Sequence, residues 1–245
     1  MGKLDYKEFT RRRRPHYNPP DGTIFTTFRL AGSIPKATVR EYKTELEWHR
    51  KQLCRIQRLS DSKPSDEHLK WLEKIETLNR KWFIKTEDIL HRAQDGPMWL
   101  ADHAVAQKVA DNLHRLDGEL LRLDAYSIMS NHVHSVFQPF FTESDMSKLG
   151  SVDDELMDLV LEDSGLPRIM FLLKGRSARE CNKVLGRLGR FWEHESFDRV
   201  IRWGKFDQTV KYVLNNPVKA ALVKNWEDWR WNYCRQDLVE RFRKK

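Results

Sequence analysis

No stretch of this chain stays apolar for the length of a membrane span, and no N-terminal segment has the order of a secretion signal. Membrane insertion is therefore not expected, and we expect a cytoplasmic protein. Cysteine is scarce. Cys54, Cys181 and Cys234 are an odd, widely scattered set, which excludes a disulfide scaffold and a cysteine zinc centre and fits a reducing compartment. Glycine numbers only 11, and none of it forms a phosphate-cradling loop or a nucleophile elbow, so the common nucleotide-binding and hydrolase signatures are missing. No internal repeat and no DNA-binding zinc finger is found.

What remains is a basic, aromatic-rich chain. Hydrophobic residues make up 40% of its 245 positions and aromatics 11%, enough for a core in one or two domains. The formal net charge of +8 suggests a polyanionic partner. The charge is unevenly spread. Residues 169–245 hold 18 basic and 9 acidic side chains, residues 1–35 hold 7 and 3, and residues 139–168 hold 2 and 8. A phosphate-binding surface would come from the last third and the N-terminal arm.

The periodicities give an element order. Residues 1–22, with Arg11, Arg12, Arg13 and Arg14 before Pro15, Pro19 and Pro20, read as a basic arm. TIFTTFRLA (23–31) reads as a strand. Val39, Tyr42, Leu46, His49, Leu53 and Ile56, and then Leu69, Leu72, Ile75 and Trp82, recur at helical spacing and predict a helical hairpin within 36–95. Residues 99–117 predict a helix, 120–129 and 132–138 two strands in a hairpin, and 139–168 an acidic surface insertion. A helix is expected to open at Ser177, capped reciprocally by Glu180. A strand within 191–202 and a helix over 205–216 follow. The order β-α-β-β-α-β predicts an α+β fold with a mainly antiparallel sheet. The main domain would span 23–233, leaving 234–245 as a basic tail.

Four constellations could carry chemistry. His132 and His134 lie on a predicted strand, where residues two apart share a face, so two imidazoles could hold a divalent metal. Alone the signal is weak, since nine histidines give such a pair by chance in about a third of chains this long. Tyr212 and Asn216 share a helix face, and a phenol can attack a phosphodiester. A tyrosine packed at a core edge and a helix-ending Asn-Pro fit the same residues. Arg176, Arg179, Lys183, Arg187 and Arg190 form a stripe on the helix after Ser177, with Lys174 just before it. It reads as a phosphate track or as a solvated face. Glu193, Glu195 and Asp198 offer an added metal ligand, a general base or partners for arginines.

Six strings together carry a family resemblance: PHYNPPDGTIFTTFRLAGSIP (15–35), MWLADHAVAQKVADNL (98–113), LDAYSIMSNHVHSVFQP (123–139), LKGRSARECNKVLGRLGRFWEHESFDRVIR (173–202), YVLNNPVKAALV (212–223) and WRWNY (229–233). In this order they resemble the REP-associated tyrosine transposases, a branch of the single-tyrosine HUH transposases. The resemblance implies a ferredoxin/RRM-like sheet with the nucleophilic tyrosine on a C-terminal helix. It implies His132 and His134 as a metal pair, Asn216 as third ligand, with Glu195 or Asp198 as an added one, and Tyr212 as nucleophile. The cofactor would be Mg²⁺ or Mn²⁺. The substrate would be a palindromic repeat folded as a DNA hairpin, cleaved through a 5′-phosphotyrosine by a monomer associated with the nucleoid.

The chain departs from the family in three places. Ser130 stands where proline is common, Ala221 where glycine is common, and the acidic stretch 140–166 is long. Two rivals remain in the residues themselves: a non-catalytic single-strand binder on the same fold, and a metal-dependent hydrolase built on the two histidines.

Overall fold

A computed structural model of the chain describes residues 22–57, 66–93, 96–140 and 166–243. In chain order its main elements are β1 (Ile24–Arg29), α1 (Lys36–Gln57), α2 (Asp66–Arg92), α3 (His103–Leu116), β2 (Leu121–Ile128), β3 (His132–Pro139), α4 (Leu166–Val184), β4 (Phe197–Val200), α5 (Phe206–Leu214), α6 (Asn216–Lys219), β5 (Asn232–Cys234) and α7 (Gln236–Phe242). The chain divides into two compact units. One comprises the chain up to Leu30 and from Trp99 onward, and the other spans Ala31–Met98.

The first unit is α+β. Its five strands form one antiparallel sheet in the order β4-β1-β3-β2-β5. Strands β1 to β4 with α3 and α4 give the β-α-β-β-α-β succession expected from the sequence, in the ferredoxin-like strand order. Strand β5 extends the sheet beyond β2.

One sheet face carries Phe28, Val133, Phe137, Leu123 and Ile128 against Val109 and Leu113 of α3 and Ile169 and Leu173 of α4, all of them buried. Burying each such side chain is worth about 2 kcal/mol. The other face, with Phe25 and His134, meets α5. Helices on both faces explain why β3 is buried almost from end to end instead of alternating.

The second unit is the helical hairpin that the spacing predicted. Leu46, Ile75, Leu78 and Trp82 form its core. The Tyr42 hydroxyl donates to Asn79 Oδ1 at 2.8 Å, and Trp82 Nε1 donates to Glu45 Oε2 at 2.9 Å. Leu72, expected in the apolar stripe, is exposed instead.

Three local expectations change. Helix α4 starts at Leu166, not at Ser177. Pro167 fits a helix's first turn, and the run Ile169–Leu173 supplies the first buried turns. Ser177 is interior to the helix. Its hydroxyl donates to Leu173 O and accepts from Trp192 Nε1 at 2.9 Å, so it caps nothing. Residues 236–242, read as tail, form α7, because Leu238 and Phe242 lie one turn apart and are both buried. Helix α5 stops at Leu214, and α6 restarts at Asn216, because Pro217 has no N–H to continue the ladder. Arg11 to Arg14 and most of the acidic stretch, 141–165, lie outside the described residues.

Candidate metal and nucleophile site

The site is built on β3, β1 and α5. His132 and His134 are fully buried on β3, pointing to the face that α5 covers. Their Nε2 atoms face each other at 3.0 Å. Two imidazole nitrogens bound to one cation at about 2.1 Å stand about 3.0 Å apart at a right angle and about 3.4 Å apart at a tetrahedral angle. The observed spacing leaves both Nε2 atoms near enough to serve one cation, and it is also the length of a hydrogen bond between them.

The outer nitrogens are pinned. His132 Nδ1 lies 2.7 Å from Asn131 Oδ1, a carbonyl that only accepts, so Nδ1 carries the proton and Nε2 keeps its lone pair. His134 Nδ1 lies 2.8 Å from Thr27 Oγ1, a hydroxyl able to donate or accept. Thr27 thus suits His134 both when its Nε2–H donates to His132 and when that nitrogen is a ligand. Thr27 reaches His134 because the two are direct cross-strand partners. Such outer hydrogen bonds orient metal-binding imidazoles and set their tautomers.

Tyr212 comes from α5. Its ring centroid lies 5.6 Å from that of His134 and 5.8 Å from that of Phe25, edge-on to both. Phe25 in turn stacks on His134 at 5.7 Å. The Lys219 ammonium sits over the Tyr212 ring, 4.1 Å from its centroid. Asn216 is buried, and its side-chain nitrogen donates to the Tyr212 carbonyl at 3.4 Å. The interruption at Asn215 therefore keeps Asn216 tied to the turn that presents Tyr212.

The two added carboxylates go elsewhere. Asp198 is the cross-strand partner of Thr26, which bonds Ser135, so it belongs to the face opposite the imidazoles. Asp198 and Glu195 instead act on Lys174 of α4. Neither carboxylate joins the imidazoles, which corrects their reading as extra ligands. In the helical unit, Glu87 and His91 stand one turn apart on α2, with His91 Nε2 4.0 Å from Glu87 Oε2 and Glu87 buried. Glu87 and His91 thus offer a carboxylate and an imidazole, side chains of the kind that can ligate a divalent metal. The E-x-x-x-H spacing was the available signal for this second pair.

The basic stripe is partly committed. Lys174 donates to Glu193 O at 2.7 Å, His194 O at 2.9 Å and the Ser196 hydroxyl at 3.1 Å, so all three ammonium protons serve the 193–196 loop. Its place is under that loop, not on a phosphate surface. Burial pushes its pKa down to about 8, against the opposing pull of Glu195 and Glu193. Arg176 pairs with Glu180, and Arg190 with Glu193. Arg187 stacks on Trp99, 3.8 Å from its ring centroid. Arg179, Lys183 and Arg187 line a hollow of about 440 Å³ at the end of α4, with Leu188 on its rim.

No helix among the described residues is long and apolar enough to cross a membrane. No family model and no curated protein matches the chain. A solved structure described as "Structure of the REP associates tyrosine transposase bound to a REP hairpin" is similar over 96% of this chain and 88% of its own, with 16% identity and a TM-score of 0.42.

Proposed function

We propose that this protein cleaves and rejoins single-stranded DNA beside palindromic hairpins, with Tyr212 as nucleophile and a divalent cation held by His132, His134 and Asn216. The observation that carries the reading is the facing pair of pinned imidazoles with the Tyr212 ring against one of them.

Bound there, Mg²⁺ or Mn²⁺ would polarise a non-bridging phosphate oxygen and steady the leaving 3′ oxygen. The Tyr212 oxygen attacks phosphorus in line after giving up its proton. The bond from phosphorus to the 3′ oxygen breaks, that oxygen takes a proton, and the 5′ phosphate stays on tyrosine. Lys219, over the ring, favours the phenolate. A second 3′-OH reverses the step and joins strands. The bond energy is conserved in the phosphotyrosine link, so no ATP is required. Neutral imidazole and amide ligands suit an anionic phosphate approaching a cation. Arg11 to Arg14 and the exposed Arg179 and Lys183 would hold the stem, and the enzyme would act as a monomer.

The test incubates labelled hairpin DNA from the host's own palindromic repeats with protein and Mn²⁺, followed by a denaturing protein gel. The reading expects a covalent band that disappears in Tyr212→Phe and with chelator. Tight binding without an adduct would favour the non-catalytic binder. Cleavage without an adduct would favour the hydrolase.

A further inference from the structure

Of the nine tryptophans, Trp82, Trp192, Trp226 and Trp231 are buried, whereas Trp203 is 102% exposed. Its exposure is built into the backbone. Lys205 N donates to Arg202 O at 3.0 Å, closing a four-residue turn across Trp203 and Gly204. Gly204 has φ +72°, the conformation that the third position of a type II turn requires. Trp203 therefore occupies the second position of a closed turn and is held out by it.

The surroundings are cationic. Arg202 and Lys205 flank Trp203 and are exposed, as are Arg199 and Lys211 nearby in sequence. The acid of this segment, Asp207, is paired with Arg241 at 2.7 Å. The turn leads directly into α5. From Phe206 at its start to Tyr212 is six residues, about 9 Å along the helix axis and so a span of a few nucleotides.

We infer that Trp203 is a stacking platform for an unpaired nucleobase a few nucleotides from the scissile phosphate, with Arg202 and Lys205 drawing the adjoining backbone. An exposed indole between cations meets both demands of single-stranded nucleic acid, a π-face for the base and positive charge for the phosphates. This rests on the proposed DNA substrate but not on cleavage.

The test uses the full chain carrying Tyr212→Phe, so that no strand is cut. Hairpins from the host's repeats, with and without a single-stranded extension carrying 2-aminopurine, are titrated by anisotropy and fluorescence. Trp203→Ala should weaken binding of the extended hairpin about tenfold and abolish 2-aminopurine quenching, while leaving the blunt hairpin unaffected. Trp203→Phe should retain most of both. Equal losses on the two hairpins, no loss on either, or self-association in the wild type that Trp203→Ala abolishes would overturn the inference. A missing adduct together with Trp203-dependent quenching would remove the cleavage reading and leave this one standing.

Discussion

The Nε2 atoms of His132 and His134 face each other 3.0 Å apart, each ring held from behind by a different element of the sheet unit. The support comes from Asn131, the adjacent residue, and from Thr27, on the neighbouring strand.

Thr27→Val removes the His134 partner while keeping the shape of the side chain. It should weaken Mn²⁺ binding about tenfold or more, measured by electron paramagnetic resonance. Unchanged affinity would show that Thr27 does not support a ligand. Because two imidazoles suit Mn²⁺ better than the oxygen-preferring Mg²⁺, cleavage should also be faster in Mn²⁺. Equal or lower activity in Mn²⁺ would count against the pair as ligands.

Lys219 should matter to the pH profile more than to folding. Replacing it with Met removes the cation over the Tyr212 ring. The pH at which adduct formation rises should move higher, with DNA affinity little changed. An unmoved profile would make Lys219 a bystander.

Lys174 separates structure from DNA contact. Its folded pKa of about 8 lies below the ordinary 10.5, so between these values the unfolded chain binds more protons and stability rises with pH. Lys174→Met should flatten that rise in urea titrations at pH 8 and 10. The salt dependence of hairpin binding should stay the same, whereas Lys183→Met should reduce its slope by about one. A reduced slope in Lys174→Met would restore it as a phosphate contact.

Ala221 has φ +56°, a left-handed conformation that strains an L side chain and that glycine adopts freely. The glycine common at this place in the resembled family thus has a physical reason. Ala221→Gly should stabilise the protein by about 0.5–1 kcal/mol, read as a higher urea midpoint. A lower midpoint would show that the strain is absent.

The helical hairpin was legible because its apolar spacing is regular, and β1 to β3 because short runs rich in Thr, Val, Ile, Leu and Phe lie between turn residues. His132 and His134 were legible as a pair by type and spacing, whereas Tyr212 stood out only through the family resemblance; the fold brings the His134 and Tyr212 rings together. The start of α4 is hard to read because Pro167 and Gly175 have low helix propensity, although a first turn accepts proline and an exposed helix site tolerates glycine. Strand β5 adds only three residues, Asn232–Cys234, to an edge, too few to show a period. Asp198 illustrates a different limit. Its face is fixed by its register with Thr26, and pairing across strands is not written in the local sequence. The partnership of Thr27 and His134 is hidden for the same reason, since they lie 107 positions apart.

The central claim is that Tyr212 becomes covalently attached to DNA. Trypsin cleaving after Lys211 and Lys219 isolates YVLNNPVK, residues 212–219. After reaction with hairpin DNA and Mn²⁺, nuclease trimming and digestion, mass spectrometry should find this peptide carrying a nucleotide phosphate on Tyr212. The unmodified peptide alongside cleaved DNA bearing free 5′ phosphates would contradict the account.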